Sequence, residues 1–132
     1  MDLTEASAVI TGGASGIGEA SARKLSALGA RCVIVDLQDD KGEAVAKELG
    51  GLYVKADVAN EEQVQAAMDA AMEMGPLRAL VNGAGIGSAS RTVDRNGEPM
   101  PLAQFEFVIR VNLIGTFNCT RLGAATMAKT EP

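Results

Sequence analysis

The chain contains no histidine. That absence excludes acid–base pairs built on imidazole and any ordinary histidine–metal site. Aromatic residues are scarce too, at 3% of the sequence, so the 47% that is hydrophobic is mostly Ala, Val, Leu, Ile and Met. Such a composition suits a packed α/β layer structure. Positive charge is in deficit, with 12 Lys and Arg against 17 Asp and Glu and a net charge of −5. A nucleic-acid or anionic-membrane partner favours a basic patch, and this balance argues against both. Only Cys32 and Cys119 carry thiols. One falls in a predicted strand and the other in a predicted helix, and two buried free thiols in a reducing compartment account for them. No apolar stretch approaches the roughly 18 residues of a membrane span. The N-terminus, MDLTEASAVITGG, has neither the basic segment nor the long apolar core of a cleaved signal. The expectation is a soluble cytoplasmic protein with no metal site.

What is present alternates in period. A length of 132 residues suits one domain. Ala6 to Thr11 reads as a short apolar strand that runs into the glycine-rich stretch TGGASGIG. A helix follows from Ile17, with Ile17, Leu25 and Leu28 expected near one face, and Gly29 supplies its stop. Arg31 to Asp36 is apolar through its middle, as a buried parallel strand should be. A second helix is expected from about Asp40 to Leu49, closed by Gly50-Gly51, and a third strand from Leu52 to Asp57. Asn60-Glu61-Glu62-Gln63 reads as a capping box, in which Asn60 caps the first turn and Gln63 reaches back. That helix ends at Gly75-Pro76. Leu77 to Asn82 contains a fourth strand, a long loop runs to about Met100, and a last helical segment spans roughly Leu102 to Ala128, bent near Gly115. Strands separated by helices imply βαβ units, hence a parallel sheet with helices on both faces.

The glycine stretch lies between a strand and a helix, the context in which such a pattern carries meaning. A helix N-terminus offers unpaired N–H groups and partial positive charge to a phosphate. Gly12 would make the turn, Gly16 would admit close approach, and Gly18 would let helix pack tightly on strand. The plain alternative is that Gly12-Gly13 is merely a turn. Asp36 closes the second strand, where a carboxylate accepts hydrogen bonds from adenosine ribose hydroxyls and repels a 2′-phosphate. No basic residue stands at Ser15 or Leu37 to receive that phosphate, which favours NAD over NADP. Asp57-Val58 ends the third strand and could set a carboxylate near the adenine amino group, or could serve as a turn or capping Asp. Asn82-Gly83-Ala84-Gly85 ends the fourth strand with small residues that let a flat ring lie against backbone.

These residues resemble the motifs of the short-chain dehydrogenase/reductase family. TGGASGIG matches its T-G-x-x-x-G-x-G loop, NGAG resembles its N-N-A-G motif, and Asn112 in RVNLIGTFN matches its catalytic Asn. The resemblance spans the whole chain and implies a Rossmann-type doubly wound parallel sheet in strand order 3-2-1-4-5-6-7. The loop from Ile86 to Met100 and the stretch VNLIGTFN look most like the branch of 3-hydroxyacyl-CoA and 17β-hydroxysteroid dehydrogenases. Carried over by resemblance, Ser15 and Ile17 contact the cofactor, with Leu37 beside the Asp36 carboxylate. Asp36 takes the ribose, Asp57 and Val58 the adenine, and Asn82, Gly83, Ala84 and Gly85 the nicotinamide side. Asn112 would hold a water in a proton relay, through a local helix distortion. The resemblance also implies NAD as cofactor, a small alcohol or ketone as substrate, and a homo-oligomer paired through the helices of residues 102–128.

One part of the family pattern is missing. The family's acid–base centre is a Ser followed by Tyr-x-x-x-Lys, where Lys lowers the Tyr pKa so that the phenolate takes the alcohol proton. The sole tyrosine here, Tyr53, sits in the third strand with Asp57, not Lys, four residues on. The catalytic Ser, Tyr and Lys are therefore expected beyond residue 132. With a fourth strand that is interior in the expected order, Ala79-Leu80-Val81 becomes an open apolar edge, so residues 1–132 alone are expected to be unstable or oligomeric. A piece of a longer enzyme, a truncated or split gene product, and a half-domain with a binding role all remain open. The rival classes are a non-catalytic dinucleotide-binding module and, less in keeping with NGAG and Asn112, a Rossmann-like methyltransferase.

Overall fold

Strands β1 (Ser7–Thr11), β2 (Arg31–Asp36), β3 (Leu52–Lys55) and β4 (Leu77–Asn82) form one sheet in the order β3-β2-β1-β4, and every pairing is parallel. Helices α1 (Gly16–Ala27), α2 (Asp39–Leu49) and α3 (Glu61–Met74) connect successive strands. After β4 come α4 (Leu102–Ile109), a six-residue π-turn (Arg110–Gly115) and α5 (Thr116–Met127), joined end to end. This architecture is that of a computed structural model, which describes residues 3–130. Among the described residues no helix is long and apolar enough to cross a membrane.

The two central strands are buried on both faces, and their alternation sorts the core into two layers. Val9, Val33 and Val35 pack with Val64, Ala67, Met68 and Ala71 of α3 and with Cys119 and Leu122 of α5. Ala8, Ile10, Cys32 and Ile34 face the other way, onto Ala22 of α1 and Val45 and Ala46 of α2. Ile10 and Ile34 are wholly buried. Full burial of such side chains contributes roughly 1.5–3 kcal/mol each. The doubly wound arrangement expected from the sequence is thus present through its first four strands.

Three local expectations are corrected. Ile17 is not on the core face of α1. It is 82% exposed, and Gly18 and Ala22 are the buried positions. Leu28 is likewise exposed, while Leu25 packs against the core. The inward stripe runs 18, 22, 25 because Gly18 must lie against the Gly12 turn, which turns its neighbour Ile17 outward. The capping box is half formed: Asn60 Oδ1 accepts from Gln63 N at 3.0 Å, but Gln63 Oε1 accepts from Asp57 N at 2.8 Å. Asn60 N is taken by the Asp57 carbonyl instead, so Gln63 serves the turn before the cap. Finally, β3 ends at Lys55, although Ala56 N still donates to the Asp36 carbonyl at 3.2 Å.

The segment between β4 and α4 is more ordered than a plain loop. Val93 and Pro99 form an antiparallel bridge, and the Asp94 carboxylate accepts from Asn96 N and Glu98 N at 2.8 and 2.9 Å. Gln104 of α4 holds this segment by donating to Ser88 and Ser90.

Candidate functional site

All four strands point their carboxyl ends at one cleft of about 480 Å³. In an open α/β sheet the crevice forms where the chain winds outward in both directions from one strand, here β1 between β2 and β4. The cleft is lined from one end to the other by the turn after β1, the end of β2, the turn after β3, the turn after β4, and one side of α4 and the π-turn.

Backbone proximity builds the centre. Gly12 has φ +63, and a Cβ there would stand 2.6 Å from the Gly83 carbonyl carbon and 2.7 Å from Ala84 N. The β1 and β4 turns therefore touch through bare backbone. Thr11 fastens the same junction: its hydroxyl accepts from Ala84 N at 3.2 Å, and its carbonyl accepts from Gly83 N at 3.1 Å. Gly18 lies beneath, where a Cβ would fall on the Gly12 carbonyl oxygen, so α1 packs on the turn only with glycine. Gly16, with φ +55, has nothing within 4 Å of the Cβ position, so the backbone at the helix start opens onto free space. Ser15 stands at the N-cap with extended backbone and makes no side-chain cap bond. The first N–H groups of a helix have no partner within it. Ser15, Gly16 and Ile17 all line the cleft, so this helix start, with its unpaired N–H groups, could hold an anion there.

Asp36 lies at the next strand end. Its Oδ2 accepts from Ala14 N at 3.1 Å, and its Oδ1 accepts from Leu37 N and Gln38 N at 2.8 and 3.1 Å. A carboxylate can accept about four such bonds, so capacity remains for a hydroxyl entering the cleft. Tyr53 supports this corner from below, where its hydroxyl meets the Asp36 carbonyl at 3.0 Å and the Asp39 carboxylate at 2.9 Å. Lys55 pairs with Asp39 at 2.7 Å. Burial and the Asp39 carboxylate push the Tyr53 phenol well above its ordinary range. Tyr53 is thus a strand aromatic committed to structure, the opposite of a phenol tuned to take a proton near neutrality.

Asp57 is a turn Asp that also lines the cleft. Its Oδ1 accepts from Ala59 N at 2.9 Å as a turn Asp, its Oδ2 pairs with Arg110 at 2.8 Å, and the residue lines the cleft beside Val58. Leu37, Gly83, Ala84 and Gly85 also line it. Asn82 does not, because its side chain turns to Thr120 Oγ1 at 3.1 Å. Asn112 sits inside the π-turn, the expected helix distortion, and its amide grips the Ile86 backbone. Oδ1 accepts from Ile86 N at 2.8 Å, and Nδ2 donates to Ile86 O at 2.7 Å. It therefore positions the end of the β4 turn rather than lining the cleft itself.

The sequence reading passed over Val35, Gln38, Ala56, Ile86, Phe107, Arg110 and Val111, all of which line the cleft. The signal for three of them was available, since Phe107, Arg110 and Val111 follow helical spacing just before Asn112.

A parallel sheet in the order β3-β2-β1-β4, with helices on both faces and a crevice at its switch point, defines a Rossmann-type α/β domain. More narrowly, the chain belongs to the short chain dehydrogenase family, whose model it matches over residues 6–132. It is 45% identical over 129 residues to the rat 3-hydroxyacyl-CoA dehydrogenase type-2, covering 95% of this chain and 49% of that protein. The human protein of the same name is 46% identical with the same coverage. The crystal structure of 3-hydroxyacyl-CoA dehydrogenase type-2 from Mycobacterium avium superimposes with a TM-score of 0.91 at 45% identity, over 97% of this chain and 51% of that one. The chain thus spans about half the length of the relatives it matches.

Proposed function

We propose that the chain is the cofactor-holding part of an NAD-dependent dehydrogenase that interconverts a secondary alcohol and a ketone, with a 3-hydroxyacyl-CoA or a steroid-like compound as substrate. The observation that carries the reading is the pairing of an open glycine cradle at Ser15, Gly16 and Ile17 with the Asp36 carboxylate one strand away. A pyrophosphate would lie on the α1 N-terminus, and the ribose hydroxyls would donate to Asp36. The base would lie over Val58 with Asp57 at its edge, since the strand order sets β3 outside β2. A 2′-phosphate would meet the Asp36 carboxylate, and among the described residues lining the cleft the one cation, Arg110, is paired with Asp57, which favours NAD.

When bound, the nicotinamide ring accepts or gives a hydride. The protein's own contribution is placement. Gly83, Ala84 and Gly85 present backbone to the ring side, and Asn112 fixes Ile86 so that this surface keeps its shape. Asn112 is proposed as the residue of the proton relay present here, and the group that exchanges the substrate proton is proposed to belong to the length of the relatives that the chain does not span. A homo-oligomer, dimer or tetramer, is proposed as the working assembly. It is supported by the exposure of Leu102, Phe105, Leu113, Ile114 and Phe117 along α4, the π-turn and α5.

A specific observation favours a second reading, a dinucleotide-binding module without turnover. The one tyrosine is tied to Asp36 and Asp39, its proton held more firmly than in a free phenol. The two readings separate in one experiment: calorimetric titration with NAD, followed by an NADH absorbance assay with a 3-hydroxyacyl-CoA. Binding with turnover supports the dehydrogenase. Binding without turnover in any form supports the module.

A further inference from the structure

The ion pair between Arg110 and Asp57 is not needed by the placement just described, and its position is unusual. Arg110 is the first residue of the π-turn, its Nη2 lies 2.8 Å from Asp57 Oδ2, and both residues line the cleft. The side chains are 48% and 29% exposed. A pair so accessible contributes little to stability. Its effect on geometry is larger. Asp57 Oδ1 is held by Ala59 N and Oδ2 by Arg110, so the plane of the carboxylate is set from both oxygens. The Asp57 backbone is fixed as well, through its N–H to Gln63 Oε1. Each carboxylate oxygen still has a lone pair to offer.

Two residues further along the same π-turn, Asn112 clamps Ile86 at the opposite end of the cleft with two hydrogen bonds. A single π-turn is therefore tied to the turn after β3 through Arg110 and to the turn after β4 through Asn112. Such an insertion rotates side chains away from the positions a continuous α-helix would give them. Two residues so close in sequence thus reach opposite ends of one groove.

We propose that Arg110 is a positioning residue for adenine recognition. It holds the Asp57 carboxylate so that a free lone pair accepts the exocyclic amino group of the base, and it couples that subsite to the segment carrying Asn112. The proposal rests on the dinucleotide reading above, because only that reading sets a base against Asp57. It implies discrimination by an acceptor-only group: adenine donates there, whereas hypoxanthine presents a carbonyl that the carboxylate repels.

The test is a calorimetric comparison of NAD with nicotinamide hypoxanthine dinucleotide on the wild-type chain, Arg110→Ala and Arg110→Lys. The wild type is expected to prefer NAD by roughly tenfold, the effect of one hydrogen bond to a charged acceptor. Arg110→Ala is expected to bring NAD down to the level of the hypoxanthine analogue while the analogue changes little, and Arg110→Lys to recover part of the preference. An unchanged preference in Arg110→Ala, or an equal loss for both ligands, overturns the proposal. So does a wild type that binds both alike. Should Arg110→Ala not fold, Arg110→Gln removes the charge with less change in shape and is read in the same way. A wild type that binds neither ligand overturns the dinucleotide reading itself, and the proposal with it.

Discussion

Replacing Asp36 by Ala removes one side chain with two separable jobs. In the free protein its Oδ2 satisfies the N–H of Ala14, a residue only 3% exposed, while Oδ1 serves the more exposed N–H groups of Leu37 and Gln38. The latter two turn to water after truncation. The Ala14 N–H has less access to it, and leaving such a donor unsatisfied costs roughly 1–3 kcal/mol. For a chain of this size that corresponds to a drop in melting temperature of roughly 4–12 °C. The second job is acceptance of ribose hydroxyls by a charged oxygen, whose loss is about 1.5–3 kcal/mol, or roughly 10-fold to 150-fold in affinity. The charge that repels a 2′-phosphate disappears as well, so NADP should gain on NAD. Differential scanning fluorimetry reads the first effect, and calorimetry with NAD and NADP on the folded variant reads the second. A folded Asp36→Ala that melts lower but binds both cofactors as the wild type does would refute the ribose assignment and leave Asp36 a purely structural brace.

Other perturbations act on different parts of the account. Gly18→Ala places a methyl on the Gly12 carbonyl oxygen. It should destabilise by about 1–3 kcal/mol in urea unfolding, the usual range for overpacking. Gly16→Ala meets no atom but must hold φ +55, so its stability cost should be only about 1–2 kcal/mol while NAD affinity falls, because the methyl enters the cradle. Asn112→Ala removes both bonds to Ile86. Amide hydrogen exchange at Ile86 should accelerate, with at most about 3 kcal/mol lost from global stability. The two thiols offer a pH test. Burial raises the Cys32 pKa and pushes that of Cys119 up to about 11. Because the folded values lie above the unfolded ones, the neutral thiols' contribution is complete at low pH. It declines as pH rises past the unfolded thiol value of about 8.5. A thiol reagent at pH 8 should find neither cysteine in the native chain and both after denaturation; rapid native labelling would show that the layer around Cys119 opens.

Much of this fold could be read because short-range chemistry agreed with long-range packing. β2 was placed to the residue, since Cys32 to Val35 is apolar on both faces and Asp36 ends the run at the cleft. The glycines at 12 and 18 sit where a Cβ would strike backbone, of Gly83 and of Gly12 respectively, while Gly16 opens onto free space at positive φ. Where the reading slipped, the deciding contact was remote in sequence. The helical pattern sets Ile17 near one face with Leu25 and Leu28, but the seat of Gly18 on Gly12 turns it outward. Gln63 fitted a capping box, yet Asp57 N took its side chain. Helical spacing puts Arg110 on the side of Phe107 and Val111, but its pairing with Asp57 could not be read from sequence, because two helices and a strand separate the partners. The π-turn at Asn112 was foreseen only through family resemblance, since nothing in the periodicity of RVNLIG marks an inserted residue.

The claim on which the rest depends is that the crevice holds a dinucleotide with its phosphates on the α1 N-terminus. An amide NMR titration of the chain with NAD tests it most directly. The account predicts saturation at one NAD per chain, with the largest shifts at Gly12, Ser15, Gly16 and Ile17, at Asp36 to Gln38, at Asp57 and Val58, and from Gly83 to Ile86. NADP should produce the same pattern only at higher concentration. Shifts that fail to saturate, or that cluster away from the cleft, such as on the acidic start of α3, would contradict it.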